Sequence, residues 1–301
     1  MIAQAIVLKV ITGGDTAIDS TYLWAFSSRF GKKTCFCKEK CHCPRDYSDH
    51  DARWGAKSSY TLFGYKVHLI VDAKSQLPLD VKVTPGNEGD SPQAKPLLKG
   101  VKERHPEVKI DSASMDSAYY AYENYRFPIE DIEATPVIAL NPRGKVDAIT
   151  EGSFYLTNDG TYTCPAGLKV VYWGRDKRRG RLKFRCPAAV GRYQCLFRST
   201  YSLSSYGRTF YLHPDQDYRL IGLIPRGTDL WQGNYNTRTS VERAYSEEKG
   251  GHHLANPRVR GLDRVKIHVY LALCTQVLKR IGAMIMETLT RPHSTPCPVR
   301  A

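Results

Sequence analysis

Tyr235, Arg238, Glu242 and Lys249 stand at the spacing Y-x2-R-x3-E-x6-K within the stretch 235–249, YNTRTSVERAYSEEK. On a helix advancing about 100° per residue, the four fall within an arc of roughly 60°, so one face presents a phenol, two cations and a single carboxylate. Glu247 and Glu248, stepped the same way, point about 120° or more from Tyr235, and the spacing therefore selects Glu242 among three glutamates. A face that mixes one acid with Arg, Lys and Tyr suits a phosphate backbone held beside a metal ion. It equally suits a solvated helix face with an i,i+4 pair, Arg238 to Glu242.

Further acids upstream could complete a metal site. Asp19 is the only acid in the alternating stretch TAIDSTYLWAF, 16–26, which reads as a strand. A carboxylate there is costly to bury without a cation, or else it ends the strand and caps a turn. VKIDSASMDSAYYAYENYR begins as a strand and becomes a helix. The expectation is that Asp111 and Asp116 both lie near the strand's carboxyl end, where open α/β sheets place ligand-binding groups.

These motifs together resemble the DDE-type transposases of bacterial insertion sequences, the group with the Y-R-E-K signature. The resemblance runs from about residue 16 to 285 and rests on DST at Asp19, on GYKVHLIVDAKSQLPLDVKVTPGNEGDSPQ (64–93), on MDSAYYAYENYR at Asp116, and on the helix face of Glu242. It implies an α/β fold of the ribonuclease-H-like kind, a mixed five-stranded sheet flanked by helices with a β-rich insertion before the last catalytic helix. It implies that Asp19, Asp116 and Glu242 are the catalytic residues and ligands of two Mg²⁺ or Mn²⁺ ions, with Asp111 the runner-up to Asp116. Tyr235, Arg238 and Lys249 then handle phosphates. The implied reaction is nicking at insertion-sequence ends followed by strand transfer into target DNA, by two-metal phosphoryl transfer. The implied partner is double-stranded DNA, transposon ends and target, bound by a homodimer. Family members carry a DNA-binding domain ahead of the first Asp, whereas Asp19 stands almost at the start. The alternatives are accordingly a truncated, catalytically weak DNA-binding regulator of transposition, or a nuclease on the same fold.

Bulk properties agree with a nucleic-acid partner. The 301 residues carry 44 Lys+Arg against 30 Asp+Glu, a net charge of +14, which favours a polyanion such as nucleic acid and would also be satisfied by an anionic membrane surface. No apolar run approaches the roughly 20 residues that span a bilayer, the longest being interrupted by Lys279 and Arg280, so no membrane partner is expected. The start, MIAQAIVLKVITGG, reads as a strand rather than a secretory signal. Nine cysteines without an export signal point to reduced thiols or metal ligation in the cytoplasm; the resemblance implies a bacterial, nucleoid-associated protein.

Around these motifs the chain divides into 1–145, the first part of the catalytic domain; 146–226, the β-rich insertion; 227–288, the C-terminal catalytic helices; and 289–301, a disordered tail. The stretch 31–63 reads as a basic, cysteine-dense loop or arm. Its Cys35, Cys37, Cys41 and Cys43 form C-x-C-x3-C-x-C, four thiols for a zinc site in a spacing that strains each chelate, or else reduced surface thiols. Residues 63–85 read as an antiparallel hairpin with His68 and Asp72 on one face, and Asp90 as the cap of the helix that follows. In the insertion, Lys177, Arg178, Arg179 and Arg181 crowd one hairpin as DNA contacts, with Lys183 and Arg185 beside them. Cys164, Cys186 and Cys195 there are candidate zinc ligands, with His213 a conceivable fourth. His252 and His253 read as loop residues. The last helix carries Val265, Val269, Leu271, Leu273, Val277, Ile281 and Met284 as a core-facing stripe.

Overall fold

The structure, a computed structural model, describes residues 1–38, 41–57, 60–141 and 155–290, with the side chains of Lys57 and Tyr60 excepted. In chain order, α1 (Ile2–Val7) precedes β1 (Gly14–Trp24), β2 (Lys32–Lys33), β3 (Arg45–Asp46), β4 (Arg53–Lys57), β5 (Tyr60–Asp72) and β6 (Pro78–Pro85). Then come α2 (Ala94–Arg104), β7 (Ile110–Met115), α3 (Tyr122–Asp131) and β8 (Thr135–Ile138). A second run holds β9 (Tyr155–Leu156), β10 (Tyr162–Thr163), β11 (Val171–Asp176), β12 (Arg181–Arg185), α4 (Arg198–Tyr201) and β13 (Thr209–Leu212). The chain closes with α5 (Asp229–Asn236), α6 (Thr239–Gly251) and α7 (Leu262–Thr290).

The main sheet is mixed and has six strands, in the order β4-β5-β1-β7-β8, with β6 also paired to β5. β5 is antiparallel to β1, β4 and β6, whereas β1, β7 and β8 run parallel. The thirteen residues of β5 explain the extra strand: β4 pairs with 60–64 and β6 with 65–71, end to end along one edge. At their junction a β-carbon on Gly64 would sit 2.0 Å from the Leu23 carbonyl oxygen, so only glycine lets β1 pass. Arg53–Lys57 was expected within a loop because it lacks apolar alternation; its pairing to a long buried strand supplies what its own sequence does not.

Every residue from Leu62 to Asp72 is buried, as befits a strand covered on both faces. Period 2 then divides the core. Ala17, Val67, Leu69 and Val71 meet Val241, Ala244 and Tyr245 of α6 and Val265, Val269 and Leu273 of α7. Ile18 and Ile70 meet Leu97, Leu98 and Val101 of α2 and Tyr125 and Phe127 of α3. Each such aliphatic side chain contributes about 1.5–3 kcal/mol on burial, which fixes α6 against the very strand that carries Asp19.

Several sequence expectations change. The start is the helix α1 and not a strand: Ile2, Ala5 and Ile6 fall at i, i+3, i+4 and pack on the core of the α2 face. α7, at 29 residues, is by length and composition long and apolar enough to cross a membrane, against the expectation that no run reaches that length. Its Val265, Val269, Leu273 and Val277 are buried on the sheet, but Leu271, expected in that stripe, is exposed on the opposite side with Ile267 and Leu278. The tail expected to be disordered, 291–301, lies outside the described residues.

Between β8 and α5, β11, β12 and β13 form a separate antiparallel sheet around Tyr162, Leu182, Phe184, Phe210, Leu212 and Ile221. Buried Arg226 ties its end to the main sheet by donating to the Ile138 carbonyl and the Tyr125 hydroxyl.

Candidate active site

β1 and β7 pair in parallel with Thr16 opposite Ala113 and Ala17 opposite Ser114. Continued by two residues, that register brings Asp19 level with Asp116, where β7 has just ended and β1 still runs on beside β5. The two carboxylates feel one another. Burial pushes the Asp19 carboxyl up to about 6; the Ser20 N–H and Arg238 oppose the rise, while the charges of Asp116 and Asp90 add to it. Asp116 caps the 3₁₀ turn Ser117–Tyr119 by accepting from the Ala118 N–H at 2.8 Å.

The helix carrying the third acid reaches this point because β7 is lined with serine. Ser114 Oγ donates to the Asn234 carbonyl and meets Thr237 Oγ1, both at 2.9 Å. Thr237 in turn donates to Asn234 O, and bonds of the i to i−3 type run through 237–241. The expected single helix over 235–249 is therefore two, α5 and α6, joined by a tight turn in which the residues advance faster than 100° each. Tyr235 belongs to α5, where it stacks on Trp231 with centroids 4.7 Å apart. Arg238, Glu242 and Lys249 belong to the junction and α6.

Those side chains still converge on β1. Arg238 Nη1 lies 2.7 Å from Glu242 Oε1 and 3.9 Å from Asp19 Oδ2, bridging the two acids, and its guanidinium stands 5.7 Å from the Tyr235 ring centre. Glu242 sits in the first turn of α6, at the helix's positive end. Lys249 Nζ donates to Thr21 Oγ1, two residues along β1 from Asp19 and on the same face. Tyr245, buried, donates to the Asp19 and Val67 carbonyls and locks α6 to β1 and β5.

A rim completes the site. Asp90 was expected to cap the next helix; it stands at that position but its carboxylate instead accepts from Lys66 Nζ at 2.9 Å and lies 3.7 Å from His68 Nδ1. His68 also meets Thr84, and Asp72 accepts from the Ser75 N–H and hydroxyl, so the two serve the hairpin. Asp111 is the second residue of β7, at the strand's beginning rather than its carboxyl end, and pairs with Lys109 at 3.0 Å. Ser114, Thr237 and Tyr245 escaped the sequence reading; the serines inside a buried strand were the one available signal.

The other candidate groups lie in the second sheet or at its edges. Lys177, Arg178 and Arg179 are exposed at the β11–β12 turn, whereas Arg181 pairs with Asp176 and stacks 3.7 Å from the Tyr211 ring centre. Lys183 donates to the Tyr206 hydroxyl, and Arg185 is buried against the Trp173 and Tyr206 rings. Cys164, Cys186 and Cys195 line one small cavity of about 20 Å³ with Tyr201 and Phe210; His213 does not line it. Among the described residues, the group of His, Cys, Asp or Glu whose ligand atoms all lie within 4.8 Å is Cys35, Cys37, Cys41 and Cys43. His252 is tucked beside Glu248 at 3.3 Å.

The arrangement is a strand-borne aspartate, a second aspartate one residue past a strand's end and a helix-borne glutamate, flanked by cations and a phenol, beside a mixed sheet. Residues 14–278 match the family described as Transposase DDE domain, and the chain belongs to that family. A curated protein of Brucella ovis named "Putative transposase for insertion sequence element IS6501" is 40% identical over 77 residues, which are 26% of this chain. The chain spans about half of that relative's length, 54%. The solved piggyBac transposase synaptic complex with hairpin DNA aligns at a TM-score of 0.31 and 9% identity, over 98% of this chain and 62% of that one, a likeness too low to define the fold.

Proposed function

We propose that this chain is a DNA transposase that nicks insertion-sequence ends and transfers the 3′ ends into target DNA, on a ribonuclease-H-like catalytic domain into which 146–226 is inserted. The single observation that carries the reading is the parallel register of β1 and β7, which levels Asp19 with Asp116 while Arg238 holds Glu242 across from them. The strand order supports the fold: three antiparallel strands, β6, β5 and β1, continue into two parallel ones, β7 and β8.

The donor set fits a hard divalent cation. Asp19, Asp116 and Glu242 offer only carboxylate oxygens, as Mg²⁺ or Mn²⁺ prefers, and the raised Asp19 carboxyl marks a cluster in need of positive charge. Such ions, when bound, would supply Lewis-acid activation of the attacking oxygen and stabilise the leaving one. Arg238 lies between Glu242 and Asp19 and supplies positive charge to both; these two carboxylates and Asp116 would hold such ions, and the Arg238 guanidinium would then suit a DNA phosphate. Tyr235 and Lys249, on either side, orient the same backbone. Exposed Lys177, Arg178 and Arg179 add sequence-independent grip on double-stranded DNA. The protein acts as a homodimer on paired ends, in the cytoplasm at the nucleoid.

The test is nicking of supercoiled DNA with Mg²⁺ or Mn²⁺, with Glu242→Gln and Asp19→Asn as variants checked for unchanged folding by circular dichroism. Metal-dependent nicking lost in both variants is the expected result. DNA binding with no nicking in any protein would instead indicate a regulator of transposition. Nicking without joined donor–target products would indicate a nuclease.

A further inference from the structure

The base of the arm between β1 and β4 is tied to the fold, Tyr47 stacking on Phe63 and Asp49 accepting from the Tyr65 hydroxyl, but its tip, 31–45, is held among the described residues by its own ribbon. β2 and β3 pair over two residues each, Lys32 opposite Asp46 and Lys33 opposite Arg45. Thr34 Oγ1 donates to the Pro44 carbonyl at 2.7 Å, one step further in. Continued inward, the register sets position 35 opposite 43 and 37 opposite 41. All four cysteines then share one parity and one face of the ribbon. The sulfurs gather on that face along its diagonals: Cys35 and Cys41 Sγ lie 3.3 Å apart, Cys37 and Cys43 Sγ 3.9 Å, and all four within 4.8 Å of one another. A tetrahedron with zinc–sulfur bonds of about 2.3 Å has sulfur–sulfur edges of about 3.8 Å.

We propose that Cys35, Cys37, Cys41 and Cys43 form a structural Zn²⁺ tetrathiolate site that closes this ribbon. The strain expected of C-x-C is avoided because each dipeptide spans one side of a ribbon and the closest sulfur pairs cross it. Four thiolates and one Zn²⁺ leave a net charge of −2, which Lys32, Lys33, Lys38 and Arg45 offset from the same segment. The ribbon has no apolar core to replace the metal: Phe36 is fully exposed, and two-residue strands are not stable alone. Soft thiolates exclude the hard cations suited to the carboxylates, so the two sites take different metals. The cysteine site is independent of the proposed reaction.

The experiment is metal analysis and sulfur-sensitive X-ray absorption on the full chain purified with reductant and zinc. One zinc per chain, with four sulfur neighbours at about 2.3 Å, is expected. It should be lost in the Cys35→Ser/Cys43→Ser double variant and retained in Cys164→Ser, which separates it from the cavity cysteines. Trypsin should cut after Lys32, Lys33 and Lys38 at least ten times faster in the double variant or after chelation, while the remainder of the chain resists equally. Disulfides among the four cysteines, less than half an equivalent of zinc, or full zinc in the double variant would overturn the proposal.

Discussion

Asp19, Asp116 and Glu242 come from a strand near the start, a strand end in the middle and a helix near the end of the chain, whereas Cys35 to Cys43 occupy one short ribbon. The carboxylates are set by tertiary packing: Ser114 seats the α5–α6 turn, and Tyr245 fastens α6 to β1 and β5. The sulfurs meet within one short ribbon and, among the described residues, no element from elsewhere in the chain joins them. The oxygen cluster also carries its own cation, Arg238, shared between Asp19 and Glu242. Groups brought together from across the chain depend on a rigid fold and, here, on a shared counter-charge, whereas groups within one short ribbon meet through local geometry.

Breaking the carboxylate side should have the largest effect. Glu242→Gln removes one ligand and the Arg238 partner together, and nicking should fall on the order of 10³-fold, the several kcal/mol that a positioned Lewis acid supplies. Zinc content should not change. Rates on supercoiled plasmid, read beside metal analysis, check both statements.

Ser114→Leu tests whether packing, and not the helix motif by itself, places Glu242. The substitution deletes both contacts to the α5–α6 turn and overfills a buried strand, for a loss of about 2–3 kcal/mol in denaturant unfolding. Nicking should decline with it. An unchanged rate would show that α6 finds its place without this seat.

Asp19, Asp116 and Glu242 stand out in the sequence by type and spacing, and the fold sets Asp19 level with Asp116 and joins it to Glu242 through Arg238. The alternation of GYKVHLIVD exposed β5, but its thirteen-residue length and the second partner strand on its edge did not show, since β4 has no apolar pattern of its own. The break between α5 and α6 was hidden because Thr237 and Thr239 carry no breaker signal; the break arises from their hydroxyls, which donate to the Asn234 and Asn236 carbonyls, and from a contact of Thr237 with Ser114, far away in sequence. C-x-C read as a strained chelate because single-strand spacing says nothing about what faces it across a ribbon.

The rear of α6 gives a prediction with a pH axis. Burial, with Glu247 adding, pushes the Glu248 carboxyl up to about 7. Its folded-state value thus exceeds the unfolded one of about 4.3. The protonated form's contribution is complete below that unfolded value and is lost as pH rises through about 7. Glu248→Gln should raise stability at pH 8 by about 1–2 kcal/mol and flatten the profile between these limits. Thermal melts across the range would expose the opposite sign.

The smallest effect is expected from Tyr245→Phe. Losing the hydroxyl that serves the Asp19 and Val67 carbonyls should cost about 1 kcal/mol, since burial of the ring is kept. Denaturant midpoints measure it, and the slope of the transition should stay the same.

The claim that three distant acids make one ion site is tested most directly by Mn²⁺ titration calorimetry on the full chain and on Asp19→Asn, Asp116→Asn and Glu242→Gln. Each single substitution should weaken Mn²⁺ binding by at least tenfold while leaving the fold intact by circular dichroism. A well-folded variant that binds Mn²⁺ as the parent does would contradict the account and remove that acid from the site.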